Sequence, residues 1–109
     1  MELNEILKNV WLIQEEVNIR NNDKTRNELL LLKLAKIPEE VWELHNEVLK
    51  KIWFVRKEKS CLNNDLELSL EFADVIISAL SVAYELNVDI DKALEAKINI
   101  LFERFNVKK

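Results

Sequence analysis

Five acidic residues fall into two groups whose spacing could hold a cation. Glu39, Glu40 and Glu43 lie in Ile37-Pro-Glu-Glu-Val-Trp-Glu, and Glu71 and Asp74 lie in Glu-Phe-Ala-Asp. On a helix, residues three and four apart lean to one side, so each group presents its carboxylates together. Facing each other on packed helices, the groups would repel strongly unless a cation sat between them. Asp74 sharpens the point, because Phe72, Ala73, Val75, Ile76 and Ile77 flank it and a carboxylate in apolar surroundings is costly without a partner. Oxygen ligands alone suit magnesium or manganese over zinc or copper. A di-iron bundle centre would need Glu-x-x-His pairs, and the single histidine, His45, follows Glu43 by two residues. The plain alternative is a solvated acidic face that complements a helix N-terminus.

The elements that must position these groups are legible in the apolar spacing. Leu3, Ile6, Leu7, Val10, Ile13 and Val17 form one stripe and predict a first helix from Leu3 to Arg20, closed by Asn21-Asn22-Asp23. Thr25 and Glu28 have capping-box spacing and open a second helix. Pro38 disfavours helical geometry at Ile37 and removes a backbone donor, which predicts a kink or break there before the helix resumes from Glu39 to about Lys57. Asn64 and Glu67 repeat the capping pattern for a third helix reaching about Leu86, and Asp89 caps a fourth ending near Phe105. The expectation is an all-α, four-helix bundle-like fold in a single domain, residues 1–109. The third helix is apolar around so much of its circumference that its spare face is expected to meet a second subunit, as a homodimer or tetramer.

Composition narrows the function classes. The 109 residues contain no glycine, so a glycine-rich phosphate loop or dinucleotide fingerprint cannot be built. A net charge of −4 argues against a nucleic-acid partner. One cysteine, Cys61, excludes an internal disulfide, and its loop gives it little basic company for a nucleophilic role. No stretch reads as a secretory signal or a bilayer span, so a cytoplasmic location and no membrane partner are expected. Trp11, Trp42, Trp53 and Phe54, at helical spacing, read as core before they read as a platform for a nucleobase, and His45 reads as a surface residue.

The two acidic motifs, separated by 27 residues, resemble those of the MazG-like, all-α nucleoside triphosphate pyrophosphohydrolases, whose hallmark is Glu-Glu-x-x-Glu followed by Glu-x-x-Asp. Lys36 stands three before Glu39, as in that family's Lys-x-x-Glu-Glu, and Asn87 to Lys97 is similar to its usual helix-turn-helix ending. The resemblance covers about residues 30–104. It departs at Trp42, where the family commonly has a small residue, and at Leu101, where it often has asparagine.

The resemblance implies magnesium, with manganese a possible substitute, held by Glu40, Glu43, Glu71 and Asp74. It implies a water oriented by Glu39 or by one of the ligands, and phosphate binding by Lys36, Lys97 and Arg104. The implied reaction converts a nucleoside triphosphate to its monophosphate and pyrophosphate, in nucleotide-pool cleansing. The alternative is a non-catalytic helical dimerisation or adaptor module, or a nucleotide sensor.

Overall fold

In the computed structural model, which describes residues 1–55 and 65–108, the backbone forms four α-helices and, among the described residues, no strand. These are α1 (Leu3–Arg20), α2 (Arg26–Val55), α3 (Asp65–Glu85) and α4 (Ile90–Arg104). Cys61, the Asn64 cap and the expected helix end at Lys57 lie outside the described residues. Among the described residues, no helix is long and apolar enough to cross a membrane.

Local chemistry sets the helix ends. Thr25 Oγ1 accepts from the Glu28 amide at 3.2 Å, and Glu28 Oε1 accepts from the Thr25 amide at 3.1 Å, completing the capping box. Asp89 accepts from the Lys92 amide at 3.1 Å to open α4. Without glycine, the left-handed position that closes a helix passes to asparagine: Asn87 and Asn106 both take φ 54°. The closing bonds run from the Val88 amide to the Ala83 carbonyl at 3.0 Å and from the Val107 amide to the Phe102 carbonyl at 2.9 Å.

The break expected at Pro38 does not occur, because α2 is one helix on both sides of it. An interior proline costs roughly 3 kcal/mol locally. Packing on α3 outweighs that cost: α2 lies along α3 on both sides of the proline, with Lys33 against Glu85 before it and Glu40 and Glu43 close to Glu71 after it.

Helix α3 is the hub, with α1 and α2 packed on it. Leu7, Val10 and Leu80 form the buried cluster, and Trp11 and Ile90 close on it. Trp11 also meets Tyr84 at 5.5 Å between ring centroids, tilted by 59°. Trp42 and Trp53, expected in the core, are instead 63% and 64% exposed.

A buried ion pair joins these helices. Lys33 Nζ lies 2.7 Å from Glu85 Oε1, with both side chains more than nine-tenths buried. Asn18 Nδ2 donates to the same oxygen at 2.7 Å, and Arg26 Nη2 donates to the Glu85 carbonyl at 3.0 Å. Burial alone would raise the Glu85 carboxyl, but the Lys33 and Asn18 hydrogen bonds, with the Lys33 and Arg26 charges, hold it below its ordinary value of 4.5.

Removing one partner strands the other charge, so Lys33→Ala should cost roughly 3–5 kcal/mol in urea unfolding. Because the folded-state value of Glu85 is depressed, the stability it contributes is present above its unfolded value and lost as pH falls through the folded one. An acid titration of unfolding free energy should therefore show a loss at low pH that Glu85→Gln diminishes. An unchanged acid limb would contradict this assignment.

Candidate metal centre

Two polar stripes face each other across α2 and α3. Lys33, Lys36, Glu40, Glu43 and Glu47 recur at alternating steps of three and four along α2, and Glu71, Asp74, Ser78, Ser81 and Glu85 do the same along α3. Such steps keep each set on one helix face. The helices run antiparallel, so with Lys33 fixed on Glu85 the acidic parts of both stripes meet. Glu40, Glu43 and Glu71 each bring a carboxylate oxygen within 4.8 Å of the others. Glu40 and Glu71 are half-buried, and Oε2 of each is buried without a hydrogen-bond partner.

The electrostatics follow from that crowding. Burial is the largest effect raising the Glu40 carboxyl; the charges of Glu43 and Asp74 and a hydrogen bond with Glu43 push the same way, against Lys36. Burial likewise leads in raising Glu71, followed by Glu43, Asp74, Glu47 and Glu67. Asp74 is exposed, yet its charge acts on both Glu40 and Glu71. Two helices thus supply an oxygen-rich cluster with two orphaned buried atoms, which fits a hard divalent cation.

A cavity of about 250 Å³ adjoins the cluster through Glu40 and Asp74. Lys36 lines it, as do Gln14, Lys33, Ser78 and Ser81, the buried polar residues among those described. The serine hydroxyls donate within α3, Ser78 to the Val75 carbonyl at 2.8 Å and Ser81 to the Ser78 carbonyl at 2.7 Å, which keeps oxygen lone pairs available as acceptors. Gln14 adds an amide with both donor and acceptor.

Other expected residues lie elsewhere. One step along a helix turns about 100°, so Glu39 points away from Glu40 and stands exposed, 3.7 Å from Lys36. Lys97 and Arg104 belong to α4, which has no buried residue, and neither lines the cavity. Trp42 stacks on His45 at 5.4 Å and 15° rather than facing the cavity. A larger depression of about 630 Å³ near the C-terminus is lined by none of the clustered carboxylates.

Sequence reasoning missed Gln14, Lys33, Ser78 and Ser81. A signal existed for the serines, which continue the spacing of Glu71 and Asp74 through an apolar helix. Gln14 likewise continues the steps of Leu7 and Val10, at a position where an apolar residue was due.

Raised carboxyls set the sign of the pH response. Ionised at neutral pH, Glu40 and Glu71 destabilise the metal-free fold, and that repulsion fades as pH falls toward their folded values. The metal-free melting temperature should rise between pH 7.5 and 5.5. Saturating magnesium should raise it by roughly 5–10 °C at pH 7.5 and by less at pH 5.5. A magnesium response equal at both pH values would contradict the cluster as the site.

No family model, curated protein sequence or solved structure matches the chain.

Proposed function

We propose that this protein is a MazG-like, magnesium-dependent nucleoside triphosphate pyrophosphohydrolase. The observation that carries the reading is the convergence of Glu40, Glu43 and Glu71 within 4.8 Å, with two buried orphan oxygens among them. Like charges in a half-buried seam cost stability, and a cation that also binds a polyphosphate turns that cost into affinity. The adjoining cavity, with its lysines, hydroxyls and amide, offers the polar surroundings a nucleotide requires.

Glu40, Glu43, Glu71 and Asp74 would hold the ion. When bound, magnesium supplies positive charge that orients the triphosphate and offsets the charge developing on its oxygens. Lys36, on the cavity wall, gives its ammonium to a phosphate oxygen. A carboxylate of the cluster, rather than the outward-pointing Glu39, orients a water and takes its proton. The water oxygen bonds to the α-phosphorus, the bond to the α,β-bridging oxygen breaks, and pyrophosphate leaves with that electron pair. Lys97 and Arg104, on α4 and away from the cavity, are given no part in holding the phosphate.

Pyrophosphate release from a panel of canonical and modified nucleoside triphosphates tests the reading. Release should require magnesium or manganese, stop with chelator, and fall roughly 100- to 1,000-fold in Asp74→Asn, while Lys97→Ala loses less. A folded protein that releases no pyrophosphate would overturn the enzyme assignment. Nucleotide-dependent thermal stabilisation without release would then identify a sensor, and neither response would identify an adaptor.

A further inference from the structure

Gln14 from α1 and Ser78 and Ser81 from α3 line the cavity of about 250 Å³, and each is more than nine-tenths buried. Buried amides are almost always hydrogen-bonded within the protein or to water. The Gln14 amide has no partner among the described residues and opens onto the cavity. An amide taken out of water in this way costs free energy, which a ligand bonded to it offsets.

The serines restrict what that ligand is. A hydroxyl has one hydrogen to give, and both are committed within α3, Ser78 to the Val75 carbonyl at 2.8 Å and Ser81 to the Ser78 carbonyl at 2.7 Å. Only lone pairs are left to face the cavity. The Lys33 ammonium does not redress this, because Glu85 holds it at 2.7 Å and it lies 5.3 Å from the centroid of the Tyr84 ring. A group bound against this wall must therefore donate hydrogens. Val17 and Ile77 supply apolar surface for the faces of a flat ring.

We propose that the cavity selects a nucleobase with an amino group beside a ring nitrogen, cytosine or adenine over uracil or hypoxanthine, and that Gln14 and the two serines make the selection. An amino group has two hydrogens, one for the Gln14 carbonyl and one for a serine oxygen, and the neighbouring ring nitrogen accepts from the Gln14 amide. In uracil and hypoxanthine an oxygen takes the place of the amino group. Its lone pairs meet those of the serines, and the buried acceptors go unpaired. Gln14 alone would not discriminate, since its amide matches either edge by turning over; the serines decide. The inference rests on the nucleotide reading of the cavity, but it requires neither metal nor turnover.

Titration of nucleosides into the isotope-labelled full chain, with chelator present, tests it through the side-chain amide resonances. Those of Gln14 are identified by their absence in Gln14→Leu. Cytidine is compared with uridine and adenosine with inosine, because each pair differs at the amino position. Cytidine or adenosine should shift the Gln14 resonances and bind roughly 10- to 100-fold more tightly than its oxo counterpart, and the pair that does so tells whether the cavity takes a pyrimidine or a purine. Combining Ser78→Ala with Ser81→Ala, folding being checked by circular dichroism, should bring the members of that pair within about 3-fold of each other. The wild-type comparison stands whether or not that variant folds. Equal affinity within both pairs, preference for uridine or inosine, unmoved Gln14 resonances at millimolar nucleoside, or a preference kept by the folded serine variant would each overturn the inference. The two readings fail separately. A protein that releases no pyrophosphate yet prefers cytidine to uridine keeps this inference, and one that hydrolyses the amino and oxo triphosphates alike loses it and remains a hydrolase.

Discussion

The ion pair between Lys33 and Glu85 fixes the register on which the rest of the structure depends. Its charged atoms lie 2.7 Å apart in buried surroundings, and Asn18 and Arg26 add bonds from α1 and from the start of α2. A buried pair is weak evidence of net stability, but sliding either helix by one turn would strand both charges, and that penalty is large. The pair therefore selects one antiparallel alignment of α2 and α3. In that alignment Glu40 and Glu43 stand against Glu71, and the carboxylates meet because the opposite charges meet elsewhere along the same seam.

This arrangement separates stability from chemistry along one interface. At one end, opposite charges and hydrogen bonds hold three helices together. At the other, like charges crowd, burial raises Glu40 and Glu71, and two oxygens lack partners. Between the ends lies the cavity with Gln14, Ser78 and Ser81 on its walls. A seam of leucine and valine at these positions would make a more stable hairpin and have no means of holding a cation. The absence of glycine fits the same division, because a metal held by helix side chains can meet phosphates without a glycine-rich loop.

The helices were legible in the sequence where local chemistry decides them. The Leu3 to Arg20 stripe, the Thr25 and Glu28 capping box and the Asp89 cap all stand where their spacing predicts. Pro38 misled because its local cost is set against packing on both sides, which a local rule does not weigh. The acidic motifs predicted the meeting of Glu40, Glu43 and Glu71. Their spacing also grouped Glu39 with them, although neighbouring helix positions diverge by about 100°. The tryptophans misled differently. Hydrophobicity marks a side chain for burial without saying whether its own chain does the burying, and Trp42 and Trp53 are not buried by theirs. Lys33 gave no local signal, since its role depends on Glu85, 52 residues away.

The central claim is that the crowded carboxylates are a cation site. Calorimetric titration of manganese into the nucleotide-free protein near pH 6, repeated in two buffers of different ionisation enthalpy, tests it most directly. Saturable binding is expected, with proton release that grows as the pH is lowered, because a cation favours the ionised forms that burial and like charge disfavour on Glu40 and Glu71, and Glu71→Gln should abolish the binding while α3 stays helical. Absence of saturable binding, or equal binding by Glu71→Gln, would contradict it.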